Sequence, residues 1–352
     1  MALRTSKRRN SRTRDLVVVG ASAGGVEALI RLVATLPADL PAAVAVVLHV
    51  APGSASSIAR ILDRSGPLPA TAAEDGAPLA PNRIVVAPPD RHLVVADGNA
   101  RLVDGPRENG VRPGIDPLFR SAARERGPWV VGVVLSGTLD DGSAGLFAIR
   151  RVGGCAIVQS PDDALFPDMP LHALDLAGAD HCVPVDEMGP ILRRLVEAPV
   201  EGAMASKKER ITPAEGGTPG RPPGDPSAFS CPECGGVLWA ADGMGRFECR
   251  TGHAFSPRSL GADQADKVEE ALWGAIRAVE ELAAMARRLE GRARERGANG
   301  TAERFASQAV EQEARVETLR TLVGAPRHAM PALGSGRRIA ARRPPPRRRA
   351  AR

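Results

Sequence analysis

The chain has 352 residues, no tyrosine and only 3% aromatic residues, so its core has to be built from Ala, Val, Leu and Ile. The formal net charge of +6 arises at the two ends, because residues 1–14 and 337–352 carry fourteen Lys and Arg and no acid. The remaining 33 basic and 41 acidic residues give the body a net charge of −8, which argues against a specific nucleic-acid-binding protein. The basic ends lack aromatic stacking residues and are interpreted as disordered tails, with weak adhesion to nucleic acid or an anionic membrane as the alternative.

Hydropathy and cysteine content indicate the compartment. No run of 18 apolar residues is present, which argues against a transmembrane span, and Asp15 interrupts the only candidate for a secretory signal. Five cysteines, three of them clustered with a histidine, do not form the pattern of a disulfide scaffold. The sequence therefore predicts a cytoplasmic protein.

The first predicted element is a buried strand at 16–19, followed by the turn Gly20-Ala21-Ser22-Ala23-Gly24-Gly25 and an amphipathic helix from Val26. A serine on such a turn presents its hydroxyl beside the free N–H groups of the helix start, which suits a nucleophile with an oxyanion hole. Glycine-rich turns of this kind also bind anions or serve structure alone, although serine here replaces the second glycine of G-x-G-x-x-G. The turn by itself leaves these alternatives open.

Residues 15–198 alternate aliphatic runs with helical patterns, which predicts a mostly parallel, doubly wound α/β sheet with three αβα layers. The segment 82–95 differs, because two short β runs flank a Pro-Pro-Asp turn and predict a hairpin. Arg112 and Asp116 are predicted to pair and fix a loop. The predicted strands are 16–19, 43–48, 84–86, 130–135 and 156–159, and the predicted helices are 26–36, 56–63, 117–126, 143–152 and 188–198.

Candidate partners for Ser22 follow two other predicted strands. His49 ends the strand at 43–48, and Asp140 and Asp141 follow the strand at 130–135 through a short turn. Ligands bind at the carboxyl ends of parallel strands, so all of these side chains are expected at the same edge of the sheet. Each residue alone has a purely structural explanation, but together they form a candidate Ser-His-Asp triad.

Six strings in this order make residues 15–198 resemble the catalytic domain of the CheB family, the chemotaxis-receptor glutamate methylesterases. The strings run over 20–25, 48–53, 87–92, 112–119, 135–142 and 169–170. The resemblance implies that Ser22 is the nucleophile, His49 the base and Asp141, rather than Asp140, the acid of the triad. It implies hydrolysis of γ-glutamyl methyl esters on the cytoplasmic helices of methylated chemoreceptors, in some members with deamidation of glutamine, and no cofactor for catalysis.

The N–H groups near Ala23 and Gly24 would stabilise the oxyanion, with Thr138 in the neighbouring active-site turn. Three positions depart from the family pattern: Ala23 stands where threonine is common, Thr138 where methionine is common, and Asp140 where asparagine is frequent. The chain leaves no room for the N-terminal receiver domain of better-known members. Regulation is therefore expected from a response regulator or receptor methyltransferase acting in trans, or from the C-terminal region.

That C-terminal region begins after a Gly/Pro-rich linker predicted at 199–228. In the module predicted at 229–260, Cys231, Cys234, Cys249 and His253 have the spacing C-x2-C-x14-C-x3-H. This spacing predicts a closed, structural Zn²⁺ site resembling a zinc ribbon, and the alternative is a reduced cluster without metal.

A helical hairpin is predicted at 261–325, with helices at 263–294 and 301–324 that pack through large apolar residues such as Leu282 and Met285. Partner binding by one of these helices is the alternative. The Arg/Pro-rich segment 326–352 is predicted to be disordered. For the whole chain, the leading hypothesis is a serine esterase acting on methylated receptors. The alternatives are a non-catalytic or weakly active signalling scaffold that uses the module and helices, and a hydrolase of other esters.

Overall fold

A computed structural model describes residues 12–50, 57–200, 224–240 and 246–323 of the chain. The chain divides into two compact units, Met1–Ala265 and Asp266–Arg352. The predicted tail at 326–352, and most of the predicted linker and N-terminal tail, lie outside the described residues. The predicted domain boundaries stay predictions. None of the described helices combines the length and apolarity needed to cross a bilayer.

The first unit is built on a seven-stranded sheet in which every neighbouring pair of strands is parallel. The spatial order is β3-β4-β2-β1-β7-β8-β9, so the chain changes direction of winding on either side of β1. This architecture confirms the predicted doubly wound sheet. The strands are β1 Leu16–Ala21, β2 Ala43–Leu48, β3 Ala70–Ala72, β4 Arg83–Val86, β7 Val130–Val134, β8 Cys155–Gln159 and β9 His181–Val183.

Both faces of this sheet are covered by helices, which is why its central strands β1, β2 and β7 are apolar and buried at every position. In β1, Val17 and Val19 belong to the core on one face, whereas Leu16 and Val18 belong to the core on the other. Helices α1, α2 and α6 contribute to the first core, and α3, α4 and α5 contribute to the second. The helices are α1 Gly25–Thr35, α2 Ile58–Ser65, α3 Ile115–Arg126, α4 Ser143–Arg151, α5 Asp168–Leu176 and α6 Val185–Glu197.

The hairpin predicted at 82–95 is wrong. Strand β4 joins the parallel sheet, and β5 (His92–Ala96) pairs instead with β6 (Asn99–Val103) in a separate two-stranded sheet. The turn between β5 and β6 is Asp97-Gly98, with φ values of +51° and +79°. Because Asp-Gly readily adopts the two positive φ values of a tight turn, this dipeptide is a stronger hairpin signal than Pro-Pro-Asp. Pro88 and Pro89 instead lie in the connection between the two sheets.

The rest of the first unit is a small antiparallel sheet around the Cys/His cluster. Its strands are β10 Asp225–Ser230, β11 Val237–Ala240, β12 Phe247–Cys249 and β13 Ala254–Phe255, in that spatial order. The core of this sheet is small and consists of Cys231, Leu238, Cys249, Phe255 and Leu260. So thin an apolar core supplies little stabilisation on its own. The segment from Asp225 to Ala265 is called the Cys/His module below.

Two long helices close the described chain, α7 Pro257–Glu295 and α8 Asn299–Val323, as the sequence predicts. Ion pairs link them at Arg287–Glu313 (2.9 Å) and Arg320–Glu280 (2.8 Å). The predicted apolar stripe is wrong in detail, because Leu282 and Met285 are more than half exposed. Ile276 and Val316 of the predicted stripes are buried. The other buried positions include small residues, since alanine permits close approach of two helix backbones: Ala283, Ala286, Ala302 and Ala309.

Candidate active site

Three side chains from three strand ends meet at the carboxyl edge of the sheet. Ser22 follows β1, His49 follows β2, and Asp141 lies in the turn between β7 and α4. Ser22 Oγ lies 3.0 Å from Nδ1 of His49, and Nε2 of His49 lies 2.8 Å from Oδ2 of Asp141. The edge where they meet is the switch point of the doubly wound sheet, the place where such folds bind ligands.

The histidine is oriented so that Nδ1 faces the serine and Nε2 faces the carboxylate. A carboxylate only accepts hydrogen bonds, so Nε2 carries the proton and donates to Asp141. Nδ1 then has a free lone pair toward the hydroxyl of Ser22. This arrangement is the one a general base requires before it accepts a proton from a nucleophile.

Asp141 is almost fully buried and is surrounded by donors. Besides His49, the backbone N–H of Ile115 donates to Oδ2 at 2.7 Å, and the N–H groups of Asp116 and Gly142 donate to Oδ1 at 3.2 and 3.0 Å. Burial disfavours the charged form, but the hydrogen bonds from His49 and Ile115 outweigh it and lower the pKa of Asp141. The carboxylate is therefore ionised at neutral pH and fixed at the start of α3.

Two more acids lie beside Asp141. Asp116 is buried, and burial together with the charge of Asp141 raises its pKa. Burial also raises the pKa of Asp140, whose carboxylate receives a hydrogen bond from Ser256 and makes no contact with His49 among the described residues. The pKa of Asp141 is lowered, whereas those of Asp116 and Asp140 are raised. Of the three acids, only Asp141 is both ionised and hydrogen-bonded to the imidazole, so it alone fits the role of the orienting acid.

Ser136 fixes the turn that carries Ser22. Its carbonyl oxygen accepts from the N–H of Ser22 at 3.0 Å, and its hydroxyl donates to the carbonyl of Ala23 at 2.8 Å. Gly24 has φ +69°, and a Cβ there would lie 2.8 Å from the Ser136 hydroxyl, so the turn requires glycine at this position. The nucleophile candidate is therefore rigidly placed by Ser136, which lies just past the end of β7.

The N–H groups of Ala23 and Gly24 lie between Ser22 and the start of α1, and within the described part of the chain neither donates to another residue. Free amides at a helix start are suitable donors for an oxyanion. Thr138 is exposed and has no hydrogen bond to the triad among the described residues. Its predicted place in the active-site turn stays a prediction.

An apolar rim borders the serine. Leu165 and Phe166 approach Gly24, since a Cβ on this glycine would lie 3.0 Å and 3.1 Å from them, and Met169 approaches Gly137 next to Ser22. Leu165 is 67% exposed and Phe166 is 39% exposed, although both are large and apolar. Exposed apolar side chains beside a candidate nucleophile indicate a surface that receives a partly apolar substrate.

The pairing predicted for Arg112 and Asp116 is wrong. Arg112 binds Asp90 through Nη2 at 2.7 Å, whereas Asp116 accepts the N–H of Gly145 at 2.6 Å. Proximity in sequence suggested the pair, but Asp116 points inward from the first turn of α3. It therefore supports the turn at the start of α4 rather than the loop.

Sequence reasoning also missed Asn109, whose Nδ2 donates to Oδ1 of Asp141 at 3.0 Å. Asparagine is common in loops, and its partners lie in segments far apart in the chain. The one usable signal was the tripeptide Glu108-Asn109-Gly110, typical of a turn, and in the structure Asn109 has φ +52°. That signal predicts backbone conformation and not the contact with the carboxylate.

A second cluster lies in the Cys/His module, where the sequence predicted it. The side-chain ligand atoms of Cys231, Cys234, Cys249 and His253 lie within 4.8 Å of one another. Cys234 Sγ and Cys249 Sγ are 3.6 Å apart, and His253 Nδ1 is 3.5 Å from Cys249 Sγ. Tetrahedral zinc with Zn–S bonds of about 2.3 Å requires sulfur atoms roughly 3.8 Å apart, so these donors fit a single metal ion.

The backbone of the cluster supports the same interpretation. Gly235 N–H donates to Cys231 O at 2.8 Å with φ +72°, and Gly252 N–H donates to Cys249 O at 2.9 Å with φ +96°. These two tight turns each bring a cysteine and its following ligand to the same side. The cluster could hold a metal with all four positions filled by protein, which is typical of structural sites.

Comparisons with known proteins agree with the geometry. A family model described as CheB methylesterase matches residues 17–192. The crystal structure of the Thermotoga maritima CheB methylesterase catalytic domain matches with a TM-score of 0.50 and 31% identity, covering 52% of this chain and 100% of that one.

Curated relatives carry the name protein-glutamate methylesterase/protein-glutamine glutaminase. The protein that bears this name with the numeral 2 in Anaeromyxobacter dehalogenans (strain 2CP-C) is 40% identical over 181 residues, which is 51% of this chain and 53% of the relative. The one with the numeral 5 in Myxococcus xanthus (strain DK1622) is 40% identical over 187 residues, which is 52% of this chain and 54% of the relative. The chain spans about half the length of the curated relatives it matches.

Proposed function

Because the chain belongs to the CheB methylesterase family, we propose that it hydrolyses methyl esters of glutamate side chains with Ser22 as nucleophile, His49 as base and Asp141 as orienting acid. The observation that carries this proposal is the continuous line of hydrogen bonds from Ser22 Oγ through His49 to Asp141. The line joins a hydroxyl, a base with the correct tautomer and an ionised carboxylate.

In the proposed reaction, Ser22 Oγ attacks the ester carbonyl while His49 Nδ1 accepts the hydroxyl proton. The carbonyl oxygen becomes an anion next to the N–H groups of Ala23 and Gly24, and each such donor is worth about 3 kcal/mol in the transition state. His49 then returns the proton to the methoxy oxygen, the C–O bond breaks and methanol leaves. Water repeats the sequence on the acyl-enzyme, releasing glutamate and restoring Ser22.

The substrate that we infer is a methylated glutamate on a cytoplasmic helix of a chemoreceptor. The rim of Leu165 and Phe166 supports this inference, because an amphipathic helix can place its apolar side on the rim and its ester at Ser22. Deamidation of glutamine at the same positions would use the same steps, with ammonia as the leaving group. The reduced cysteine cluster supports a cytoplasmic location, where a receptor methyltransferase or a response regulator would be partners in trans.

The test of this function uses receptor fragments whose glutamates carry radiolabelled methyl esters. The full-length protein is expected to release labelled methanol from these fragments at a rate at least tenfold above the spontaneous rate, because the rim binds the helix and holds its ester at Ser22. Labelled methanol at background level, together with hydrolysis of the p-nitrophenyl ester, would point to a hydrolase of other esters. Background rates on both substrates would support the scaffold alternative.

We also propose that the metal held by Cys231, Cys234, Cys249 and His253 is Zn²⁺. Three thiolates and one imidazole at tetrahedral spacing match its preferred donors, and the thin core of the Cys/His module supports a structural role for the ion. The ion takes no part in the reaction, because ester hydrolysis by the triad requires no metal.

Purified protein is expected to contain about one zinc per chain, and Cys249→Ser is expected to lose it, because three remaining donors bind zinc far more weakly. Elemental analysis measures the metal, and circular dichroism reports the loss of ordered structure. The matched control is Cys182→Ser, an exposed thiol outside the cluster. Equal zinc content in wild type and Cys249→Ser would contradict the assignment of the ligands.

A further inference from the structure

A row of hydrogen bonds runs from the Cys/His module to the carboxylate of Asp141, and Asn109 stands in its middle. Oδ1 of Asn109 accepts the backbone N–H of Ser256 at 2.9 Å and the hydroxyl of Ser259 at 2.9 Å. On the other side, Nδ2 of Asn109 donates to Oδ1 of Asp141 at 3.0 Å. Since Oδ1 is bound on the module side, Nδ2 faces the buried acids, where it donates to Asp141 at 3.0 Å and, more weakly, to Oδ2 of Asp116 at 3.4 Å.

The two serines are rigid donors because they hold each other at the beginning of α7. The N–H of Ser256 donates to Ser259 Oγ at 2.9 Å, and the N–H of Ser259 donates to Ser256 Oγ at 3.0 Å. This reciprocal pair is similar to a capping box. Ser259 is fully buried, so its hydroxyl has no competing partner in bulk water.

The backbone on both sides of Asn109 is also attached to the module. The N–H of Asn109 donates to Ala254 O at 2.7 Å, and the N–H of Ala254 donates to Arg107 O at 3.3 Å. Glu108 receives Arg246 at 3.4 Å, in addition to Arg120 of α3. The loop that carries Asn109 therefore takes its conformation from contacts with the module.

A second contact reaches the residue next to Asp141. Ser256 Oγ donates to Oδ1 of Asp140 at 2.7 Å. The module thus touches the turn between β7 and α4 directly at Asp140, and touches Asp141 through Asn109. Ser256 therefore bonds the turn directly through its hydroxyl and bonds Asn109 through its backbone N–H.

We propose that Asn109 is a positioning residue, through which the docked Cys/His module orients Asp141. The proposal rests on the proposed function, which assigns Asp141 the role of holding His49. Without the module, Oδ1 of Asn109 loses both donors and the amide is free to rotate. Asp141 then loses one of the three donors on its Oδ1, and the imidazole loses part of its alignment with Ser22.

The first variant is Asn109→Gly, which removes the amide and tolerates the φ of +52° without strain. In the full-length protein, kcat for methanol release is expected to fall about tenfold, the range for a lost hydrogen bond to a charged group, with KM nearly unchanged. Asn82→Gly is the matched control, because Asn82 is exposed, has φ +60° and lies far from the site. The control is expected to keep both constants.

The second variant is Ser259→Ala, which leaves Asn109 in place and removes the hydroxyl of the Cys/His module that donates to its Oδ1. It is expected to lower kcat about threefold in the wild-type background and clearly less in the Asn109→Gly background, because the main effect passes through Asn109 and only the contact of Ser256 with Asp140 bypasses it. Ser227→Ala, whose hydroxyl bonds Leu238 O within the module, is the control. An equal effect of Ser259→Ala in both backgrounds would show plain destabilisation and overturn the proposal.

An assay that needs no receptor fragment distinguishes failure of this proposal from failure of the proposed function. The rate at which a fluorophosphonate labels Ser22 reports activation of the nucleophile, and it is expected to fall in parallel with kcat. Unchanged labelling in Asn109→Gly would overturn the positioning role, whereas fast labelling without methanol release would overturn only the substrate. Should Asn109→Gly lose its folded near-UV circular dichroism, labelling of Ser259→Ala against Ser227→Ala decides the matter.

Discussion

Ser22→Ala is expected to lower kcat for ester hydrolysis on the order of 10⁶-fold, with little change in substrate binding. This variant removes only the hydroxyl at one end of the hydrogen-bonded line, and no other described hydroxyl lies within hydrogen-bonding distance of His49. Without it, the imidazole has no oxygen nucleophile to activate except water. Methanol release from labelled receptor fragments measures the loss, and equilibrium binding of the fragments measures the retained affinity.

The control for this variant is Ser65→Ala. Ser65 lies at the end of α2, where its hydroxyl donates to Ile61 O, and it contacts no residue of the candidate site. A Ser22→Ala protein that retained a tenth of the wild-type rate would exclude the acyl-enzyme mechanism. In that case the serine would serve the structure of the turn, and the chemistry would belong to another group.

Asp141→Asn is expected to lower kcat about 10⁴-fold while the fold is retained. The donors around the side chain decide how the new amide lies. Oδ1 accepts three N–H donors, from Asn109, Asp116 and Gly142, whereas Oδ2 accepts only those of Ile115 and His49. The amide nitrogen therefore takes the Oδ2 position, where it meets the fewest opposing donors.

At that position the amide donates to Nε2 of His49 and forces the imidazole proton onto Nδ1. Nδ1 is the atom that must accept the proton of Ser22, so the base has the wrong tautomer. Asp180→Asn is the matched control, because Asp180 accepts the N–H of Ala156 far from the site. Asp140→Asn is expected to cost less than tenfold, and a larger loss than that of Asp141→Asn would reverse the assignment of the two acids.

Much of the site could be predicted from the sequence because its parts follow strands. Ser22 and His49 directly follow strands β1 and β2, Asp141 follows β7 through a short turn, and the parallel sheet brings the ends of these strands to one edge. The Cys/His cluster could be predicted for a similar reason, since the spacing of its four residues alone places them on two tight turns. In both cases the local sequence pattern determines where the side chains lie in the folded chain.

Other features depend on contacts that no local pattern encodes. Strands β3 and β9 have three residues each, too short for a periodic signal, and they form only because the sheet offers them an edge. The choice of Ala283 over Leu282 as an interface residue depends on how closely two helices approach. Asn109 acquires its role from Ser256, a residue 147 positions away.

The hydrogen bonds of the sheet continue past the ends of its strands into the triad. The N–H of Ser22 bonds Ser136 O on one side, and the N–H of His49 bonds Ala21 O on the other, each as the next rung of a parallel ladder. Ser22 and His49 are thus anchored at their main chains by the central strands of the sheet, the part of a fold that opens least readily. Thermal fluctuations that separate them must open the central strands, so the alignment of Ser22 with His49 is expected to last as long as the core of the sheet.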